Sequence, residues 1–244
     1  MRTALPVFLH IIGLLSSPAA PPTKGVDLQL LSDVRAIEPG KPFTVGLHIH
    51  HHDGFHTYWK NPGIVGIPTQ LDWTLPPGFS AGPIQWPTPE IVDMAGHPAH
   101  GFHRDVLLMV DITPPTTIDG ETITLRANAT WMACAKSCHP GNTKLSISLP
   151  VTEVASSDPR HDQKFKKARQ KLPQPLTSWN LTLLSAPNAP TSHLRLTPKA
   201  SNLHVLPTLY FFSSDGHVSS DQPPRLNAPA RRGSELVGPR AEFG

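Results

Sequence analysis

The chain has 244 residues, enough for one large domain or two smaller ones. Its formal net charge is only +3, and no Lys/Arg stripe interleaved with aromatics appears, so no nucleic-acid partner is expected. Proline accounts for 29 residues, roughly twice its average share. Because proline is kept out of helix interiors and central strands, a helical bundle is excluded, and short strands joined by many turns are expected.

In chain order, residues 1–20 read as a secretory signal. Arg2 gives the positive start, "ALPVFLHIIGLL" the apolar run, and "SSPAA" a small-residue cleavage point near Ala19 or Ala20. About a dozen apolar residues are too few to span a bilayer, and no other stretch approaches that length. The mature protein is therefore expected to be soluble and exported, periplasmic or secreted, where thiols can oxidise.

Residues 26–152 read as β. In "PFTVGLHIHHH" Phe43, Val45, Leu47 and Ile49 share one face, and Thr44, Gly46, His48 and His50 share the other. "VDLQLLSDV", "TQLDWTL", "DVLLMVDI", "ETITLRANATWMA" and "KLSISLPV" supply further strands, separated by turn signals such as "EPGKP", "NPG" and "IDGE". About seven short antiparallel strands at this spacing predict an all-β, immunoglobulin-like sandwich. Residues 153–175 are polar and basic and read as a linker with room for one or two helical turns in "DQKFKKARQKL". From 176 to 244 strand-like patterns return, although the last twenty residues show no strand period. Some seventy residues are few for a second core, so this smaller β region is expected to be incomplete or to lean on the first.

The only two cysteines, Cys134 and Cys138, lie in "WMACAKSCHPG". Residues four apart on an extended strand stand roughly 13 Å apart, whereas a disulfide needs Cα atoms within about 7 Å. For the two to pair, "CAKSC" must turn back as a tight loop or one helical turn. Three readings stay open. A structural bridge closing so small a loop contributes only about 2 kcal/mol, which a domain of this size hardly needs. A metal site could use Cys134, Cys138 and His139 with a further histidine, but no second close ligand pair is present. A redox-active pair fits small, exchangeable rings, with Lys136 between the sulfurs favouring thiolate.

"HHDGFHTYWKNPGIVGIPTQLDWTLPPGF", "IQWPTP" and "WMACAKSCHPGNTKLSISLPV" together resemble the amino-terminal periplasmic domain of DsbD-type thiol:disulfide interchange proteins, on the branch that includes ScsB. The resemblance covers about residues 26–152 and continues more weakly through 210–223. It implies an immunoglobulin-like sandwich whose cysteines, here Cys134 and Cys138, exchange electrons. The expected partners are a membrane-embedded thiol reductase and periplasmic disulfide-bearing proteins, and no organic cofactor is implied. It also implies a shielding loop matching residues 89–106, with an acidic and a bulky apolar residue at Asp93 and Met94. An aromatic beside the pair is expected at Tyr58, with Phe55 second. The family's membrane and thioredoxin-like domains do not occur in this sequence, so the electron source is expected in a separate chain or in a missing carboxy-terminal part.

Histidines cluster in "HIHHHDGFH" and "GHPAHGFH". Imidazole suits copper and zinc, and an exported binder of these metals through the thiols and histidines is one alternative function; a β-sandwich interaction module with a structural disulfide is the other. The plainer reading puts His48 and His50 on the exposed face of a strand and His51 and His52 in the following turn. Trp59, Trp73, Trp86 and Trp131 read as core anchors.

Overall fold

The computed structural model describes residues 24–175, 177–184, 191–199, 210–216, 225–230 and 233–239; the expected export signal lies outside them. The period-two segments form β1 (Val26–Ser32), β2 (Phe43–His51), β3 (His56–Tyr58), β4 (Gln70–Thr74), β5 (Ser80–Ala81), β6 (Glu90–Met94), β7 (His97–His103), β8 (Asp105–Thr113), β9 (Thr122–Cys134) and β10 (Cys138–Pro150). One sheet has the order β1-β2-β8-β5. The other runs β10-β9-β3-β7-β6, with β4 on the same edge of β9 as β3. All of these strand pairs are antiparallel.

The sandwich follows from the alternation. Phe43, Val45, Leu47 and Ile49 of β2 point inward with Val106, Leu108, Val110 and Ile112 of β8. They meet Ile123, Leu125, Ala127, Ala129 and Trp131 of β9 in one continuous core. Each such side chain withdrawn from water contributes about 1.5–3 kcal/mol. Trp59 and Trp131 are buried in this core, and Trp73 and Trp86 pack at its margin. This is the immunoglobulin-like arrangement of two antiparallel sheets around a shared interior.

Residues 153–175, read as a linker, are packed instead. They carry α1 (Asp162–Gln170), whose Phe165 and Ala168 are buried against Leu31, Leu107 and Met109 on the outer face of the first sheet. Arg169 fastens the helix by donating to Asp33 Oδ2 at 2.6 Å and Thr44 Oγ1 at 3.1 Å. The side of β2 opposite the core is therefore partly covered, and Thr44 is buried rather than solvated.

The carboxy-terminal region forms a separate antiparallel sheet of β11 (Trp179–Leu183), β12 (Thr191–Pro198), β13 (Arg225–Ala230) and β14 (Gly233–Pro239), in the order β11-β12-β14-β13. The tail without strand period thus supplies two strands. Backbone pairing of β14 with β12 and of β13 with β14 sets their conformation, with a bulge between Asn227 and Ala230 absorbing the irregular pattern. Residues 210–216 touch the sandwich: the Phe212 ring stands edge-on to His100 at 4.9 Å and to Trp59 at 6.2 Å. Asn61 Nδ2 donates to the Ser213 carbonyl at 2.6 Å. Among the described residues no helix is long and apolar enough to cross a membrane.

Candidate active site

β9 and β10 are the two arms of one long hairpin, paired residue for residue from Thr122–Pro150 to Cys134–Cys138. Ala135, Lys136 and Ser137 form its tip, where the Ala135 N–H donates to the Ser137 carbonyl at 3.1 Å. The fold-back that "CAKSC" needs for pairing is thus a hairpin turn. Cys134 and Cys138 face each other across it with Cα atoms 4.1 Å apart, joined as a disulfide. Lys136 is exposed at the tip.

The two sulfurs are not equivalent. Cys134 is fully buried, whereas Cys138 is half-buried. The pair sits in its own apolar cluster with Tyr58, Val92 and Ala99, flanked by Val65, Met94 and Met132 and distinct from the main core. Met94 Sδ lies 3.4 Å from Cys138 Sγ and covers its outer side. Met94 is brought there by the β6–β7 hairpin, whose two-residue loop Ala95-Gly96 has positive φ at both positions (53° and 87°). A tight hairpin of this length favours that conformation.

Asp93 neighbours Met94 in β6. It is exposed, and its carboxylate accepts the Gly96 N–H at 3.2 Å, closing the turn. Among the described residues it forms no hydrogen bond with either sulfur. Phe55 lies outside the sulfur cluster, 6.1 Å from the His139 ring.

Tyr58 lies under the disulfide, fully buried, with its hydroxyl 4.0 Å from Cys138 Sγ. Gly66 makes room for it. That residue has φ of 102°, and a Cβ there would come within 2.3 Å of the Tyr58 ring. Burial pushes the phenol above its ordinary range, so it remains protonated at neutral pH.

His56 shares the cluster's floor, a role sequence reading did not assign. It is 2% exposed, and its Nε2 lies 3.3 Å from Tyr58 Oη. It also stands directly opposite Cys134 in the sheet. Burial first, and the nearby His103 second, lower its pKa to about 4, so the ring is neutral at pH 7. The alternation of "HTY" could have placed His56 and Tyr58 on one side of a strand. It could not show that β9 and β7 flank that strand.

The remaining histidines are spread among separate partners. His51 belongs to the strand rather than the turn. It is buried, with Nε2 2.8 Å from Thr57 Oγ1, and burial lowers its pKa to about 4. His48 is largely covered, between Asp105 at 2.7 Å and Lys164 at 3.1 Å, while His50 is exposed as expected. His52 reaches Asp27, and His103 reaches Glu90. Among the described residues no three His, Cys, Asp or Glu side chains converge in a way that could hold a metal ion.

Residues 28–150, just over half of the chain and nearly all of β1 through β10, match the family described as thiol:disulfide interchange protein DsbD, N-terminal. No curated protein matches the chain. Among solved structures, the N-terminal periplasmic domain of ScsB from Proteus mirabilis shares the fold with a TM-score of 0.63. That likeness is at 18% identity and covers 88% of this chain and 79% of that one. The sporulation control protein Spo0M from Bacillus subtilis reaches a TM-score of 0.27 at 9% identity, over 73% of this chain and 69% of that one. With the family match spanning the sandwich and its terminal cysteine pair, the chain belongs to the DsbD N-terminal family of thiol:disulfide interchange proteins.

Proposed function

We propose that the protein is an exported thiol–disulfide exchange module of the periplasm. It takes reducing equivalents from a membrane-embedded thiol reductase and passes them to disulfide-bearing protein partners through Cys134 and Cys138. In this reading it is the protein-disulfide reductase component of a relay. The observation that carries the proposal is the asymmetry of the disulfide: Cys134 is sealed in an apolar cluster, whereas Cys138 is partly exposed with Met94 against its sulfur. A bridge serving stability alone has no need of a reachable sulfur.

Reduction begins when a reductase thiolate attacks Cys138 Sγ, the reachable atom. The Cys134–Cys138 bond breaks, a mixed disulfide forms on Cys138, and Cys134 leaves as thiolate. The reductase's second thiolate then attacks its own sulfur in the mixed disulfide and releases the dithiol, two electrons richer. In the delivering direction the Cys138 thiolate attacks a partner's disulfide and one partner sulfur departs as thiolate. Cys134 then attacks Cys138 Sγ, which closes the disulfide and frees the reduced partner. Protons exchange with solvent, and both steps proceed without an organic cofactor. Tyr58 and Met94 shape the space around the attacked sulfur, and Asp93 closes the turn that carries Met94.

Thiol counting across a redox buffer series is expected to give a potential of roughly −270 to −180 mV, between thioredoxin and protein disulfide isomerase. A value well below about −300 mV would mark a structural bridge and overturn the proposal. Cys134→Ser is expected to accumulate mixed disulfides with partners, and Cys138→Ser to accumulate none.

A further inference from the structure

Tyr58 has one hydroxyl proton and two neighbours that can take it, His56 Nε2 at 3.3 Å and Cys138 Sγ at 4.0 Å. Which of them receives it depends on the imidazole. If His56 Nε2 lacks a proton, the phenol donates to it and turns its proton from the sulfur. If His56 Nε2 carries a proton, it donates to Tyr58 Oη, and the phenol's own proton is free to face Cys138. On reduction Cys138 becomes a thiolate in an apolar pocket, and a hydrogen bond to an ionised acceptor is stronger than one to a neutral ring nitrogen. The second arrangement is then favoured.

Resting on the exchange reading above, we infer that His56 is a positioning residue. Its Nε2–H donates to Tyr58 Oη and holds the Tyr58 proton toward Cys138 Sγ, where that proton stabilises the attacking thiolate. The geometry fixes the pair for this task. The His56 and Tyr58 rings meet edge to face at 5.2 Å and 85°, and both side chains are excluded from water. His56 Cα is held opposite Cys134 by β9 and opposite His103 by β7. The charged and titratable groups around it are the His103 ring at 5.6 Å, Asp93 of β6, whose charge favours the imidazolium, and His51 of β2, which feels His56 in turn. Burial outweighs Asp93 and keeps the imidazole neutral, so it acts as a donor of a hydrogen bond and not as a cation. No proton leaves Tyr58 in the cycle.

The test uses the full chain carrying Cys134→Ser, with the Cys138 thiolate titrated by the pH dependence of iodoacetamide alkylation. Tyr58→Phe is expected to raise the Cys138 pKa by about one unit, near a tenfold lower thiolate fraction at neutral pH. His56→Phe is expected to raise it comparably, and the double variant no further than Tyr58→Phe alone. His56→Gln, whose amide N–H can donate from nearly the same place, is expected to restore most of the native value. If His56→Phe does not fold, His56→Asn, too short to reach Tyr58, takes its place. An unmoved pKa on losing His56, or an equal shift with and without Tyr58, overturns the inference. The potential of the unmodified pair separates the two failures. A pair that exchanges while His56 has no effect sinks only this inference, whereas a pair that resists reduction sinks the exchange reading beneath it.

Discussion

At the scale of single residues, the site depends on which sulfur can be reached and what covers it. Met94 is the cover: its thioether lies 3.4 Å from Cys138 Sγ, while Cys134 has no exposure. Attack on a disulfide requires access along the line of the S–S bond, so a side chain on the outer sulfur slows it. Met94→Ala is expected to speed reduction of the folded protein by dithiothreitol several-fold, followed as thiol release with time. Met94→Leu is expected to keep the native rate, because it restores the apolar cover without the sulfur. If both variants reduced at the native rate, shielding by Met94 would be wrong. The sequence made the cysteines legible through their isolation and spacing, and Tyr58 and Met94 through resemblance. Asp93 was named as the acidic residue of the shielding loop; its carboxylate accepts the Gly96 N–H and its charge reaches His56. His56 was invisible because its neighbours come from β7 and β9, residues far away in sequence. His51 was read as turn because a run of histidines carries no hydrophobic contrast to mark where a strand stops.

Among the elements, the long strands of the sandwich were legible, the helix only as room for one or two turns in a linker, and β6 and β7 only as a loop. A strand with one buried face announces itself by alternation, and "PFTVGLHIHHH" and "ETITLRANATWMA" became β2 and β9. The helix α1 buries only Phe165 and Ala168 from nine residues, too small an apolar stripe to distinguish from a solvated linker. Its attachment lies in the partner surface, since Leu31, Leu107 and Met109 form an apolar patch on the outer face of the first sheet. The carboxy-terminal hairpin was missed for a related reason: cross-strand pairing, of β14 with β12 and of β13 with β14, sets it rather than local pattern. The buried Phe165 gives α1 a measurable weight. Phe165→Ala is expected to cost about 3–5 kcal/mol, read as a lower urea midpoint for the whole sandwich. The disulfide lies in the other sheet, so its reduction rate in the folded state is expected to be unchanged. An unchanged midpoint would mean that α1 is a loosely attached linker after all.

For the whole molecule, the buried imidazoles tie stability to pH. His51 and His56 both titrate near pH 4 in the folded protein, chiefly because burial disfavours the charged ring, whereas an unfolded histidine titrates near 6.5. Below about pH 6.5 the unfolded chain takes up protons that the folded chain refuses. Acidification therefore favours unfolding, and stability falls as pH drops from about 6.5 to about 4. Each ring can account for on the order of 3 kcal/mol across that window. The two contributions are not simply summed, since the His51 shift already includes the charge of His56. A second loss follows at lower pH from Asp158. Arg160 bonds this buried carboxylate and holds its pKa at about 2, so its stabilisation disappears between about pH 4 and 2. Urea unfolding of the oxidised protein is thus expected to show a plateau above pH 7, a first decline between 6.5 and 4, and a further decline below 4. In the His56→Gln variant the first decline is expected to shrink and the second to persist, because only the imidazole contribution has been removed. A flat profile from pH 7 to 4 would show that water reaches both rings and that the floor of the disulfide cluster is open. The same dryness keeps Tyr58 a donor and Cys134 out of reach, so this bulk measurement reports on the site where exchange is proposed to occur.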